Sequence, residues 1–277
     1  MTIDDAAVER HYASQQITER IFAALVAMGK NPHAIAAGDL SPVDEFHTRG
    51  REATDELAAL AGIAAGQHVL DVGCGIGGPA RHLASRHGCR VTGIDLTVEF
   101  AQAARQLSER VGLAGRVGFV AGDALALPFA AGRFDAVWTQ HAAMNIADRP
   151  RLYGEMHRVL RPGGRLALHD VVAGAGGPPH FPVPWARLPE ASFLVDPATL
   201  RRLLADAGFV VEEWRDVTAG AAAWFAERAA RMAATPSPPP LGIGLLLGTE
   251  FPTMMANQQR NLVEGRVGVL QAVLRRA

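Results

Sequence analysis

Apolar positions change their period near residue 62. Ile17, Ile21, Leu25 and Met28 recur at helical spacing and stop at "GKNPH"; a second helix is predicted from Arg51 to about Ala61, after the polar loop "SPVDEFHTRG". Further on the pattern becomes short apolar runs bounded by Gly or Asp: "HVLDVG" (68–73), "RVTGID" (90–95), "VGFVAGD" (117–123), "FDAVWTQ" (134–140) and "RLALHDVV" (165–172). Such runs suit parallel strands buried on both faces. Helices are expected between them at 78–87, 98–111 and 150–160. Another helix is predicted over 196–209, with Asp196 as N-cap, Pro197 in the first position and Gly208 as the stop. "VVEEWRDV" (210–217) and "VGVLQAVLRR" (267–276) complete a seven-stranded sheet.

Strands alternating with helices predict an α/β fold, a doubly wound Rossmann-like sheet with a helical N-terminal extension and lid insertions. Residues 1–62 are expected to form the helical lid and 63–277 the core. Two stretches interrupt the alternation. Residues 173–195 are rich in Gly, Pro and aromatics, and residues 219–265 hold a helix around Trp224 followed by "TPSPPPLG". Both follow strand ends on the edge where open α/β sheets bind ligands, which predicts substrate lids. "LGIGLLLG" (241–248) is too short to cross a membrane and is expected to pack inside a lid or the core.

Composition narrows the partners. A hydrophobic fraction of 49% with 20% charged residues is that of a globular protein with a sizeable core. The net charge of −1 and the lack of any basic run give no steering toward nucleic acid or anionic lipid, so neither nucleic acid nor membrane is expected as a partner. Cys74 and Cys89 read as reduced thiols, and "MTIDDAAVERHY" has no apolar leader; a cytoplasmic location is expected. None of the ten histidines has metal-ligand spacing, and His82 and His87, five apart, would not share a helix face, so no metal is expected.

The candidate chemistry starts at "HVLDVGCGIGGPARHLA" (68–84). Gly73, Gly75 and Gly78 satisfy G-x-G-x-x-G, and Asp95 lies about 20 residues further on, as a dinucleotide site requires. An NAD-dependent oxidoreductase is therefore one reading. Asp71, two residues before the first glycine, would repel a phosphate but attract an ammonium or sulfonium. Asp123, ending the third strand, offers an acceptor to an adenine amino group, and nothing downstream resembles a hydride-transfer site. A cationic amino acid, a ribose diol and an adenine would meet an acid on each strand in turn. That ligand is S-adenosylmethionine.

"VLDVGCGIGGPARHLA", "VTGIDLT", "GDALALPFAAGRFDAVWTQ" and "MHRVLRPGGRLALHD" resemble the successive motifs of class I S-adenosylmethionine-dependent methyltransferases. "GCGIGGPAR" and "DEFHTRGREAT" are similar to the branch holding sterol, tocopherol and glycine/sarcosine methyltransferases. The resemblance implies that Gly73, Gly75 and Gly77 line the methionine part, with Asp71 near its amino group. It implies Asp95 at the ribose, Leu96 on the adenine, and Asp123 with the Ala124 N–H at the adenine edge. Gln140 would touch the methionine carboxylate or the acceptor side.

Methyl transfer from a sulfonium is an in-line displacement; the protein aligns the nucleophile and excludes water, and a hydroxyl or carbon acid also needs a base. His141, just after the fourth strand, is the candidate base, or else a histidine bonded to a neighbouring loop. Tyr12 would contact the donor's carboxylate or serve as a packing anchor. Asn145 could orient the acceptor or cap a turn, and His47 and Arg51 could face the site. His180, Trp185, Trp224 and Met255 in the insertions form an apolar lid for a small aromatic or indole-like acceptor, or pack on the core. Nitrogen, carbon and oxygen attack all remain open. So do a glycine/sarcosine-type N-methyltransferase and a non-catalytic subunit that only binds the cofactor.

Overall fold

The computed structural model describes residues 17–235 and 239–277. Among the described residues three α-helices precede the sheet: α1 (Ile17–Ala27), α2 (Ser41–Asp44) and α3 (Gly50–Ala61). The alternating region follows as β1 (His68–Val72), α4 (Gly78–His87), β2 (Arg90–Asp95), α5 (Val98–Arg110), β3 (Val117–Ala121), β4 (Phe134–Gln140), α6 (Arg149–Val159) and β5 (Leu160–Ala173). It closes with α7 (Pro197–Asp206), β6 (Phe209–Asp216), α8 (Thr218–Ala234), α9 (Gly244–Leu247), α10 (Phe251–Val263) and β7 (Val267–Arg276). Asp196 caps α7 as expected, accepting from the N–H groups of Ala198 and Thr199. β5 starts five residues earlier than the apolar run indicates, because Leu160 pairs with Phe134 before a register shift.

The seven strands lie in the order β3-β2-β1-β4-β5-β7-β6, with β7 antiparallel to both neighbours. That orientation follows from where its connection begins and ends. β6 leaves the sheet at the carboxyl edge, and Val267 re-enters there opposite Ala173, so β7 runs back against its neighbours. An apolar run of period near one carries no direction, and the sequence alone left this strand's sense open.

Alternation along the strands divides the core. Leu70 and Val72 of β1 pack with Leu152 and Met156 of α6 and Leu200 and Leu204 of α7. Val69, on the other face, packs with Leu57 and Ala58 of α3, Leu83 of α4 and Ala104 of α5. So α3 belongs to the helical layer of the sheet, while residues 17–49 lie over the edge. There, Ile17, Ile21 and Leu25 of α1 cluster with Val43, with Phe100 and Leu107 of α5, and with Leu241 and Leu246. The leucines of "LGIGLLLG" therefore pack against this N-terminal segment.

A buried ion pair fixes α2 to the core. Arg81 of α4 donates from Nη2 to Asp44 Oδ1 at 2.5 Å, and from Nη1 to the Ile76 carbonyl at 2.7 Å. Both side chains are within a few per cent of complete burial. Desolvation pushes Asp44 up to about 6, with Arg81 opposing it. Gly78 makes this approach possible: a Cβ there would lie 2.0 Å from the Asp44 carbonyl oxygen. Asp44→Ala would leave a guanidinium buried without its counter-charge and should cost about 3–5 kcal/mol in urea unfolding. The double replacement Asp44→Leu, Arg81→Met should recover most of that loss.

Candidate active site

The carboxyl ends of β1 to β4 and the segment after α2 surround a cavity of about 340 Å³, within the range of small-molecule sites. The glycine loop forms its floor. The N–H groups of Gly73 and Cys74 both donate to the Ile94 carbonyl, at 2.8 and 3.1 Å, which folds the loop over the end of β2. Gly73 has φ 76°, and a Cβ on it would strike the Ala142 Cβ at 2.3 Å. Gly75 has φ 53° and lines the cavity, and a Cβ there would project into open space. A ligand thus meets bare backbone at Gly75, the purpose a glycine cradle serves. Gly77 is not part of the lining; with φ 82° it opens α4, and a Cβ on it would lie 2.6 Å from Phe119. Its glycine is required by turn and packing.

Two of the three acids face the cavity. Asp95 accepts the Gly75 N–H at 2.7 Å and the Thr97 N–H at 3.0 Å, which fixes its carboxylate between the two loops. Burial raises its pKa, and these two bonds work against the rise. Leu96, Asp123 and Ala124 complete this end of the cavity. Asp123 accepts the Leu125 N–H at 2.7 Å, so it shapes a turn as well as lining the site. Asp71 does neither. It is sealed beneath the loop, with Oδ2 unpartnered, and burial, then the nearby Asp95 and Glu45, push it up to about 8. Its influence on a bound cation is electrostatic, not by contact.

The opposite end is built from β4 and the N-terminal segment. Gln140 and His141 line it, with Asp44, Phe46 and His47 across from them. Gln140 Oε1 accepts from Trp138 Nε1 at 2.8 Å and from Thr54 Oγ1 at 3.3 Å, while its Nε2 has no partner among the described residues. A buried amide donor left bare costs about 1–3 kcal/mol, which an arriving carboxylate would offset. His141 has φ 51°, a left-handed conformation unusual outside glycine, and its N–H donates to the His169 carbonyl at 2.8 Å. Burial, then His169 and His47, drive its pKa well below the ordinary histidine value. The ring is neutral at physiological pH, and Nε2 has no partner among the described residues.

Several expected acceptor contacts lie elsewhere. Asn145 lines the cavity, but its Nδ2 donates to the carbonyls of Trp185 and Ala191, at 2.7 and 3.0 Å, stapling the 173–195 loop. Trp185 is buried under that loop and donates to Ser192 Oγ at 2.9 Å. Trp224 and Met255 pack with Val171, Phe225 and Val269 in a separate apolar cluster. His180 pairs with Glu264 at 2.9 Å on the surface. None of these four lines the cavity; the apolar character of Trp185, Trp224 and Met255 serves the packing of one cluster against the sheet. Among the described residues of the two insertions, only Leu246 lines it. Tyr12 lies outside the described residues. Asp44 and Phe46 were not anticipated, since a polar loop between two helices gives no sign of which positions turn inward.

The lining fits S-adenosylmethionine at each point where the structure can be tested: the open cradle at Gly75, the fixed carboxylate of Asp95, and the unsatisfied Gln140 donor. A methyltransferase-domain family model matches residues 70–168. The chain is 35% identical over 188 residues to O-methyltransferase rstn1 of Aspergillus nomiae, covering 66% of this chain and 82% of that protein. It is 40% identical over 134 residues to methyltransferase GfsG of Streptomyces halstedii, a match that spans about half of each chain (48%). Among solved structures, the [4+2]-cyclase SpnF is 26% identical, covers 95% of this chain and 96% of its own, and superposes with a TM-score of 0.66. A geranyl diphosphate methyltransferase in complex with S-adenosylmethionine shares the fold at 22% identity and a TM-score of 0.66, over 82% of this chain and 85% of that one. The chain belongs to the S-adenosylmethionine-dependent methyltransferases, which removes the NAD-dependent alternative.

Asp71 generates a prediction of definite sign. Its folded-state pKa of about 8 exceeds the value of 3.8 for an exposed carboxyl, so the folded state holds a proton that the unfolded state has released. Stability from this group is complete below the unfolded pKa and is lost as pH rises through the folded one. Asp71→Asn should therefore raise the melting temperature of the ligand-free protein at pH 8 more than at pH 4. By calorimetry the parent should bind cationic S-adenosylmethionine more tightly as pH rises from 6 to 8, a trend the variant should lack.

Proposed function

We propose that the protein transfers the methyl group of S-adenosylmethionine to a hydroxyl oxygen of a small, uncharged and largely apolar acceptor. The observation that carries this is His141: a neutral imidazole at the end of β4, held in a left-handed backbone conformation on the cavity wall, with a ring nitrogen that has no partner among the described residues. When bound, S-adenosylmethionine supplies a methyl already activated by its sulfonium. Asp95, Leu96, Asp123 and Ala124 hold the adenosine, and Gln140 meets the methionine carboxylate. His141 receives the acceptor's proton. Its ring is unprotonated beforehand, as a proton acceptor must be, and a hydroxyl becomes strongly acidic as its oxygen gains the methyl.

The charge of the lining supports an uncharged acceptor. Asp44, Asp95, Asp123 and Asp148 line the cavity against Arg151, whose Nε is engaged by the Leu125 carbonyl at 2.7 Å. A carboxylate or phosphate would enter a field of its own sign, which weighs against a glycine/sarcosine-type acceptor. Phe46, Ile146 and Leu246 provide apolar contact. The name of the Aspergillus nomiae relative supports attack by oxygen. SpnF, named a cyclase, keeps a second reading in view, in which the fold holds the cofactor but transfers no methyl.

Labelled S-adenosylmethionine incubated with a panel of phenols, alcohols and amines, followed by mass spectrometry, should give O-methyl products. Products only from amines would overturn the assignment of oxygen, and tight cofactor binding with no product would favour the second reading. His141→Ala should lower turnover about 10²- to 10⁴-fold with cofactor affinity little changed. Asp123→Ala should instead weaken cofactor binding about tenfold, the worth of one good hydrogen bond.

A further inference from the structure

Three buried polar side chains cross the sheet in a row. Gln140 of β4 is the register partner of His169 of β5, which is in turn the partner of Gln271 of β7. Each is bonded to the N-terminal segment. Thr54 Oγ1 donates to Gln140 Oε1 at 3.3 Å, His169 Nε2 lies 3.1 Å from the Thr48 carbonyl, and Gln271 Nε2 donates to the Ala53 carbonyl at 3.2 Å. Buried polar groups in the middle of apolar strands are retained where their bonds specify one arrangement.

His169 is the member of this row that touches His141 twice. Its carbonyl accepts the His141 N–H that fixes the left-handed turn, and its ring lies parallel to the His141 ring, at 11° and 5.0 Å between centroids. A carbonyl only accepts, so Nε2 of His169 carries the proton, and Nδ1, fully buried and without a partner among the described residues, does not. The His47 ring meets both histidines edge-on, at 6.1 and 5.8 Å, and closes the third side. We propose that His169 is a positioning residue: its ring is the platform that sets the orientation of His141. This rests on the reading of His141 as the group that receives the acceptor's proton.

Two replacements separate the parts. His169→Phe keeps a ring for stacking and loses the donor to Thr48; His169→Gln keeps an amide donor and loses the platform. Long-range ¹H–¹⁵N spectra of the histidine rings, recorded on the S-adenosylhomocysteine-bound protein, should show the His141 resonances moved in the Gln variant and near their parent positions in the Phe variant. With the best acceptor of the panel above, His169→Gln should lower kcat at least tenfold with the cofactor Kd within twofold of the parent. In a His141→Ala background the same replacement should change kcat less than twofold. Unmoved His141 resonances in the Gln variant, or an equal loss of kcat in both backgrounds, would overturn the proposal. If His141→Ala alone leaves turnover intact, the proton-acceptor reading fails instead, and the ring spectra still decide whether His169 sets the orientation of His141.

Discussion

The Arg81–Asp44 ion pair is the contact on which the active site depends. It lies between α4, which begins at the glycine loop, and α2, which leads into Phe46 and His47. An ion pair so deeply buried is poor value as a source of net stability, since desolvating both groups cancels most of their attraction. What it supplies is exclusivity. Neither partner can remain in place without the other, so the wall of the cavity and its floor are assembled together or not at all. The Arg81 bond to the Ile76 carbonyl extends the same constraint to the cavity floor, where Ile76 follows Gly75.

The cavity then has two ends with different chemistry. At the end lined by Asp95, Leu96, Asp123 and Ala124, backbone geometry sets the site, and the carboxylate of Asp95 is fixed by two N–H groups. At the other end Gln140 and His141 each keep one polar atom without a partner among the described residues. Preorganised dipoles of this kind act on a developing charge without having to reorient.

Much of this was legible in the chain. The strands β2, β4 and β7 and the helix α4 have the bounds their apolar runs indicate, because a buried strand and a helix bounded by glycines are local patterns. Asp95 and Asp123, which line the cavity, were legible as acids at or just past strand ends, whereas the burial of Asp71 beneath the loop was not. The acceptor side was read less well. Trp185, Trp224 and Met255 were assigned by their apolar surface alone, and a large apolar side chain beside a cavity and one in a packing cluster look identical in sequence. The overlooked signal was the reverse one: His169 in "LALHDVV" and Gln271 in "GVLQAVL" are polar interruptions of strands that are otherwise apolar. Such interruptions need partners, and their partners turned out to be the N-terminal segment.

The antiparallel sense of β7 has a consequence for how such a chain can change. The excursion between β6 and β7 departs from and returns to one edge, so residues can be gained or lost within it while every strand keeps its register. It reaches the cavity at Leu246. The floor of the cavity is held in turns where Gly73 and Gly77 leave no room for a side chain, whereas this excursion can vary in length without disturbing the sheet. Chains that share the sheet can keep the same cavity floor and part company in the segment that reaches it.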